Sequence, residues 1–217
     1  MTEPQREIDE QLGGAIRALR HERGLTLVKL AEATELSHPF LSQIERGRAR
    51  PSMRSLFLIA EALGTTQQEL LAAVSPGTSR DLQPQRGDQA ATVGLTRGGA
   101  RLLLHDDHVD VTEFIDVGTD WEDYFLHARH EFLYVTAGTL EVEIREHDAA
   151  ESTFAVLKPR DSIGYPGNTL HRFRSADPAP TSVIVVHSGP PAEHTPHEQP
   201  EEAGSDTAPD RLGSSPP

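Results

Sequence analysis

The chain contains no cysteine among its 217 residues. That excludes a disulfide framework and any thiolate metal site. Long hydrophobic runs are also missing. Aliphatic stretches such as Val183-Ile184-Val185-Val186 are far shorter than the roughly 20 residues a bilayer-spanning helix needs. The N-terminus, MTEPQREIDEQ, is polar and acidic and lacks the character of a signal peptide. These absences predict a soluble, cytoplasmic protein with no membrane partner. Positive charge is in deficit as well: 20 Lys and Arg face 34 Asp and Glu, a net charge of −14. Taken over the whole chain, that balance argues against nucleic acid as a partner.

The argument changes once charge is followed along the chain. Residues 16–54 carry eight basic and four acidic side chains, whereas residues 76–217 carry 11 basic and 24 acidic ones. Arg46, Arg48, Arg50 and Arg54 cluster within a few residues of each other, and contact with phosphates depends on local charge more than on the average. The length suits two small domains, each with its own core.

The first 75 residues read as helical. Ile8, Leu12, Ala15, Ile16 and Leu19 mark a first helix, with Gly24 as its C-terminal cap. Leu30, Ala31, Leu36, Leu41 and Ile44 continue at helical spacing through two short helices joined by a tight turn. Ser52 caps a fourth helix carrying Leu56, Ile59, Ala60 and Leu63, and a fifth runs from Thr65 or Thr66 through Leu71. If Leu41 and Ile44 are buried, His38, Pro39, Ser42, Gln43 and Arg46 face outward. Small polar and amide side chains on a short helix, with arginines beyond, suit entry into a major groove.

The stretch Gly24–Pro51 closely resembles the XRE-type, lambda-repressor-like helix-turn-helix. The resemblance rests on Leu25-Thr26, Leu30-Ala31-Glu32, Leu36-Ser37, Phe40 to Gly47 and Pro51-Ser52. It implies a five-helix domain over residues 1–74 that binds a double-stranded DNA operator through Thr26, Ser37, His38, Ser42, Gln43, Arg46, Arg48 and Arg50. Two departures stand out: Glu35 occupies a turn position where the family usually has glycine, and Leu27 replaces a common glutamine. Glu45 is expected to bridge back to Arg17 or Arg20 and fix the second helix.

Residues 75–90 lack periodicity and read as a linker. From about residue 91 to 189 the pattern becomes period two, clearest in Leu140-Glu141-Val142-Glu143-Ile144-Arg145. Further strands are expected over 109–117, 131–136, 154–157, 169–174 and 181–187, an all-β sandwich or barrel. Residues 190–217 are nearly devoid of apolar side chains and are expected to be disordered.

Two segments resemble the paired motifs of a cupin, a double-stranded β-helix or jelly roll. One is His127-Ala-Arg-His-Glu131 through Gly138; the other is Pro159-x-Asp161 through Pro166, followed by His171. The resemblance places metal ligands at His127, Glu131 and His171, while the family's further histidine falls on Phe125. Two imidazoles and a carboxylate suit Fe(II), with Zn, Mn or Ni as alternatives; without a metal, the same residues would line a mouth for an organic ligand. Glu113, Leu133, Tyr165 and Phe173 are the candidate effector-pocket residues. Glu113 falls in the row Val109, Val111, Ile115, Val117, where it is either a ligand contact or on a face turned to solvent, and Tyr165 is expected at the rim. His130, Arg172 and Arg174 are expected on the opposite face.

Together the two resemblances imply an α + β two-domain regulator of transcription, not an enzyme. It would be dimeric, with a cupin that senses a small-molecule effector. The alternative is a non-haem iron oxidase similar to the hydroxypropylphosphonate epoxidases, which share this order of domains.

Overall fold

The computed structural model describes residues 3–75, 85–87, 90–146 and 151–189. The tail, part of the linker and a short segment between strands therefore lie outside the described residues. Five helices come first: α1 (Glu3–Glu22), α2 (Leu27–Thr34), α3 (His38–Ile44), α4 (Met53–Ala62) and α5 (Gln67–Ala72). Their starts follow from capping chemistry. The hydroxyls of Thr26, Ser37, Ser52 and Thr66 each accept a backbone N–H three residues on. The first helix stops where expected. Gly24 has φ +66° and donates to the carbonyl of His21 at 2.9 Å, while Leu25 donates to that of Arg20 at 3.0 Å, a left-handed cap. Leu12, Ile16, Leu30, Leu41, Ile44, Leu56 and Ile59 form the buried helical core.

Nine strands follow: β1 (Val93–Gly94), β2 (Gly99–His105), β3 (Val109–Ile115), β4 (His130–Ala137), β5 (Leu140–Glu146), β6 (Thr153–Leu157), β7 (Ser162–Tyr165), β8 (Thr169–Ser175) and β9 (Ser182–Ser188). They form one sheet in the order β1-β2-β3-β9-β4-β7 and a second in the order β6-β5-β8. Neighbouring strands are antiparallel throughout. The inner faces meet: Phe114 of β3 lies 6.4 Å from Phe173 of β8, ring centre to ring centre. β1, β2 and β7 were not foreseen as separate strands; β1 and β7 are too short for period-two alternation to register.

The facing of β3, left open by its sequence, is settled in the structure. On β3 the buried residues are Asp110, Thr112 and Phe114, and the aliphatic row of odd numbers is only half-buried. Pairing decides this. Asp110, Thr112 and Phe114 stand opposite His187, Val185 and Val183 of β9, whose side chains fill the interior. Register, not the hydrophobicity of one strand, chooses the inner face.

The helical domain is bolted to its sheet. Within the helical domain Arg50 Nε donates to Asp9 Oδ2 at 3.0 Å, and across the junction Thr96 donates from its backbone to the carbonyl of Pro51 and from its hydroxyl to that of Arg50. Gln5 Nε2 donates to the carbonyl of Thr92. The backbone N–H of Arg54 donates to Glu122 Oε2 at 3.0 Å, so a carboxylate of the β domain helps cap α4. Gly94 permits this closeness, because a Cβ there would fall 2.6 Å from the guanidinium of Arg50.

Candidate functional site

The turn between α2 and α3 is made by Glu35 in the left-handed conformation, with φ 55° and ψ 20°. A non-glycine residue held there costs about 1–2 kcal/mol. Leu41 and Ile44 are buried, and Ser37, His38, Gln43, Arg46 and Arg48 are exposed on α3 and just beyond it. Glu45 turns the other way. Its carboxylate receives Arg20 Nε at 2.6 Å and Nη2 at 2.9 Å, with both side chains less than a tenth exposed. That hydrogen bond raises the guanidinium pKa of Arg20. The fork anchors α3 to α1 through two charge-assisted bonds.

The other expected contact residues divide. Thr26 and Ser37 are exposed, but their hydroxyls are helix caps. Arg46 folds back onto the carbonyl and hydroxyl of Ser42. Arg50 departs from expectation: its guanidinium is held by Asp9 at the junction with the β domain, because the neighbouring loop must bind its own sheet.

A second site lies inside the β domain. Glu131 on β4, His171 on β8 and His187 on β9 converge with His127, which lies on the approach to β4 rather than within the strand. All three imidazoles aim Nε2 at one oxygen, Glu131 Oε2: His127 at 3.0 Å, His187 at 2.9 Å and His171 at 3.4 Å. The other carboxylate oxygen accepts from the hydroxyl of Tyr165. Ring orientation is set from behind. His127 Nδ1 faces the carbonyl of Arg129 at 3.1 Å, and His171 Nδ1 faces that of Thr169 at 2.8 Å. His187 Nδ1 is met by Gln68 Nε2 of α5 at 3.2 Å, a direct link between the helical domain and the cluster.

Burial pushes the Glu131 carboxyl up, but the charge on His171 and hydrogen bonds from three imidazoles outweigh it. The carboxyl is held well below the usual range. His127 is lowered by burial. For His171 burial acts the same way, but the Glu131 carboxylate prevails and the net shift is upward. Burial and the adjacent carboxylate push the Tyr165 hydroxyl well above its normal value, keeping it a donor.

Ring nitrogens and a carboxylate crowded on one point need protons or a cation between them. The ligand atoms of His127, Glu131 and His187 lie within 4.8 Å of one another, a spacing that suits a small divalent ion. Fe, Zn, Mn or Ni fits this donor set.

The sequence reading left out His187. It alternates with Val183 and Val185 in a strand that was foreseen, so its inward parity was a legible signal. Phe125, where the cupin pattern would place another histidine, is buried and stacks 5.9 Å from His171. Glu113 points out of the barrel and pairs with Arg101 at 3.1 Å, for the register reason above. Tyr165 is not at the rim; it is buried. Leu133 and Phe173 do face inward and are buried. Between Phe173 and the histidines only about 20 Å³ is left, too little for an organic ligand. His130 is exposed as expected. Arg172 and Arg174 lie outside the barrel, stacked on Trp121.

The architecture is therefore a helix-turn-helix domain followed by a jelly roll with a His/Glu cluster. Residues 11–73 match the helix-turn-helix domain family, and residues 111–187 match the cupin domain family. The uncharacterized HTH-type transcriptional regulator y4dJ of Sinorhizobium fredii is 37% identical over 60 residues, 28% of this chain and 78% of that protein. The HTH-type transcriptional regulator DdrOP3 of Deinococcus deserti is 46% identical over 59 residues, 27% of this chain and 46% of that one. The match to the Bacillus phage phi105 immunity repressor likewise covers only 37% of that protein, so the chain spans less than half the length of some curated relatives. An HTH_3 family transcriptional regulator from Vibrio cholerae has a similar fold, with a TM-score of 0.57 at 18% identity over 86% of this chain and 99% of that one. The chain belongs to the XRE-type helix-turn-helix family, and its C-terminal domain is a cupin.

Proposed function

We propose that the protein is a one-component transcription regulator. Its helical domain binds operator DNA, and its cupin senses a small-molecule effector with the help of a bound divalent metal. The observation that carries this reading is the presentation of α3. Ser37, His38, Gln43 and Arg48 stand exposed on a short helix and the loop after it, while Glu45 is clamped to Arg20 beneath. A recognition helix needs that combination of outward polar groups and a fixed axis. The regulator names of the relatives support it.

A metal at the cluster would be held by His127, Glu131 and His187, whose ligand atoms lie together, with the expected ligand His171 outside that group though 3.4 Å from the same carboxylate. It would supply a Lewis-acidic anchor for an oxygen of the effector. The chain's own residues do the rest. The carbonyls of Arg129 and Thr169 hold two imidazoles in orientation, and Tyr165 holds the carboxylate. Two-fold pairing of the chain would set two recognition helices about one DNA turn apart. The edge strand β6 pairs with β5 on one side only among the described residues, and with Phe154 and Val156 largely exposed it supports pairing with a second copy.

The test is fluorescence anisotropy on DNA from upstream of the protein's own gene, with scrambled DNA as competitor, across a salt series. Saturable binding about a thousandfold tighter than to scrambled DNA, weakening with salt, is expected. Sequence-blind binding to that DNA and to a genomic fragment library, with and without metal, would overturn the reading. The second reading, non-haem iron oxidation, draws on the same donors. Iron content with substrate-dependent oxygen uptake is its measurement.

A further inference from the structure

Although the space between Phe173 and the histidines is nearly full, a cavity of about 260 Å³ opens between the barrel mouth and the helical domain. At roughly 30 Å³ per water this is about nine water volumes, room for a compact metabolite but below the usual range for drug-sized ligands. The floor of this cleft is His127 and His187, two of the cluster's imidazoles; Leu126 and Ala128 form one wall. The opposite wall belongs to the helical domain, with Phe57 and Ala60 from α4 and Gln67 and Gln68 from α5. The cluster therefore looks out into a space closed by the domain that carries α3.

Charge selects the ligand. The guanidinium of Arg129 reaches the same cleft, but its charge is paired with Asp110 and its Nη groups donate to Asp110 and to the carbonyls of His108 and His187, leaving only Nε without a partner. Among the described lining residues there is thus no cation without a carboxylate beside it. A divalent ion balanced by Glu131 and neutral imidazoles leaves one net positive charge at the floor, facing an aromatic and aliphatic wall. An acidic oxygen on the metal, with a small apolar body against Phe57 and Leu126, satisfies both. Glu61, exposed at the rim, opposes a second acidic group at the outer end.

We propose that the effector site is this interdomain cleft and that it takes a small monoanionic acid, carboxylate or phenolate, with a compact apolar body. The proposal rests on the metal-dependent sensor reading and deepens it. A ligand seated there touches both domains at once. It lies against Gln68, which already holds His187, and so bears directly on α5 and α4 without a relay through the barrel.

The experiment uses the full chain loaded with zinc and titrated with isobutyrate, benzoate and salicylate, followed by calorimetry or ligand-observed NMR. Benzylamine is the cationic control. Two variants fill the cleft from opposite sides: Ala128→Trp on the exposed barrel loop and Thr65→Trp on the helical side. At least one acid is expected to bind saturably to the zinc-loaded protein and at least tenfold more weakly to the zinc-free protein. Each tryptophan should weaken binding tenfold or more while zinc stoichiometry stays unchanged, and benzylamine should not bind. Acid binding that survives both tryptophans, or that ignores zinc, places the site elsewhere and overturns the proposal. Stoichiometric zinc with no acid binding also overturns it, leaving the metal centre standing. Failure to bind zinc marks the failure of the metal reading itself.

Discussion

Three side chains carry strain or charge that a single substitution can expose. Glu35 holds a left-handed turn that glycine would adopt freely. Glu35→Gly should stabilise the protein by about 1 kcal/mol, an increment reduced by the greater freedom of glycine in the unfolded chain; urea denaturation measures it. Glu45→Ala should have a far larger effect of opposite sign. It leaves the Arg20 guanidinium buried without its partner, and breaking such a pair costs about 3–5 kcal/mol. Glu122 makes the third case. Burial raises its carboxyl pKa above the ordinary 4.5, despite the hydrogen bonds of Ser52 and the Arg54 N–H. The folded protein then holds a proton that the unfolded chain releases, so this group makes stability fall as pH rises from about 4.5 through the raised value. Glu122→Gln keeps an acceptor for the Arg54 N–H and should flatten that slope in denaturation curves taken across the window.

At the scale of elements, α3 and the loop after it separate roles that sequence lumps together. Gln43→Ala should cost about 1–3 kcal/mol on the operator and relax specificity at one base pair, if its exposed amide reads a base edge. Arg48→Ala should weaken binding to all sequences alike and reduce the salt slope by about 1. Arg50→Ala should behave differently again: stability falls because Asp9 is left without its partner, while the salt slope is unchanged. Anisotropy across a salt series separates the three. The β elements teach a related lesson. Val109, Val111, Ile115 and Val117 formed the more apolar row, yet β3 buries the row containing Asp110. There the Asp110 carboxylate is satisfied by His105 at 2.6 Å and by Arg129, so its charge is tolerated inside, whereas the buried Thr112 hydroxyl has no partner among the described residues.

Across the whole molecule, the helical domain and the cupin share a junction of backbone and side-chain hydrogen bonds, and one continuous apolar core runs through both. Heating should therefore give a single calorimetric transition, and Gln5→Ala combined with Glu122→Ala, which removes two cross-domain hydrogen bonds, should split it into two. Much of this molecule was determined by local sequence. Helix caps at Thr26, Ser37, Ser52 and Thr66, the Gly24 stop, the buried Leu41 and Ile44, and the alternation of β5 follow from short-range sterics and periodicity, which a sequence displays directly. Strand parity put Leu133 on the face of Glu131 and Phe173 on that of His171, and the resemblance to a cupin named that face as the inner one. The rest needed tertiary pairing. The outward turn of Glu113, the fate of Arg50, the arrival of His187 beside Glu131 and the meeting of Gln68 with His187 depend on contacts between residues far apart in the chain. Those partners are chosen by sheet register and domain docking, and neither leaves a mark within any one segment's own pattern.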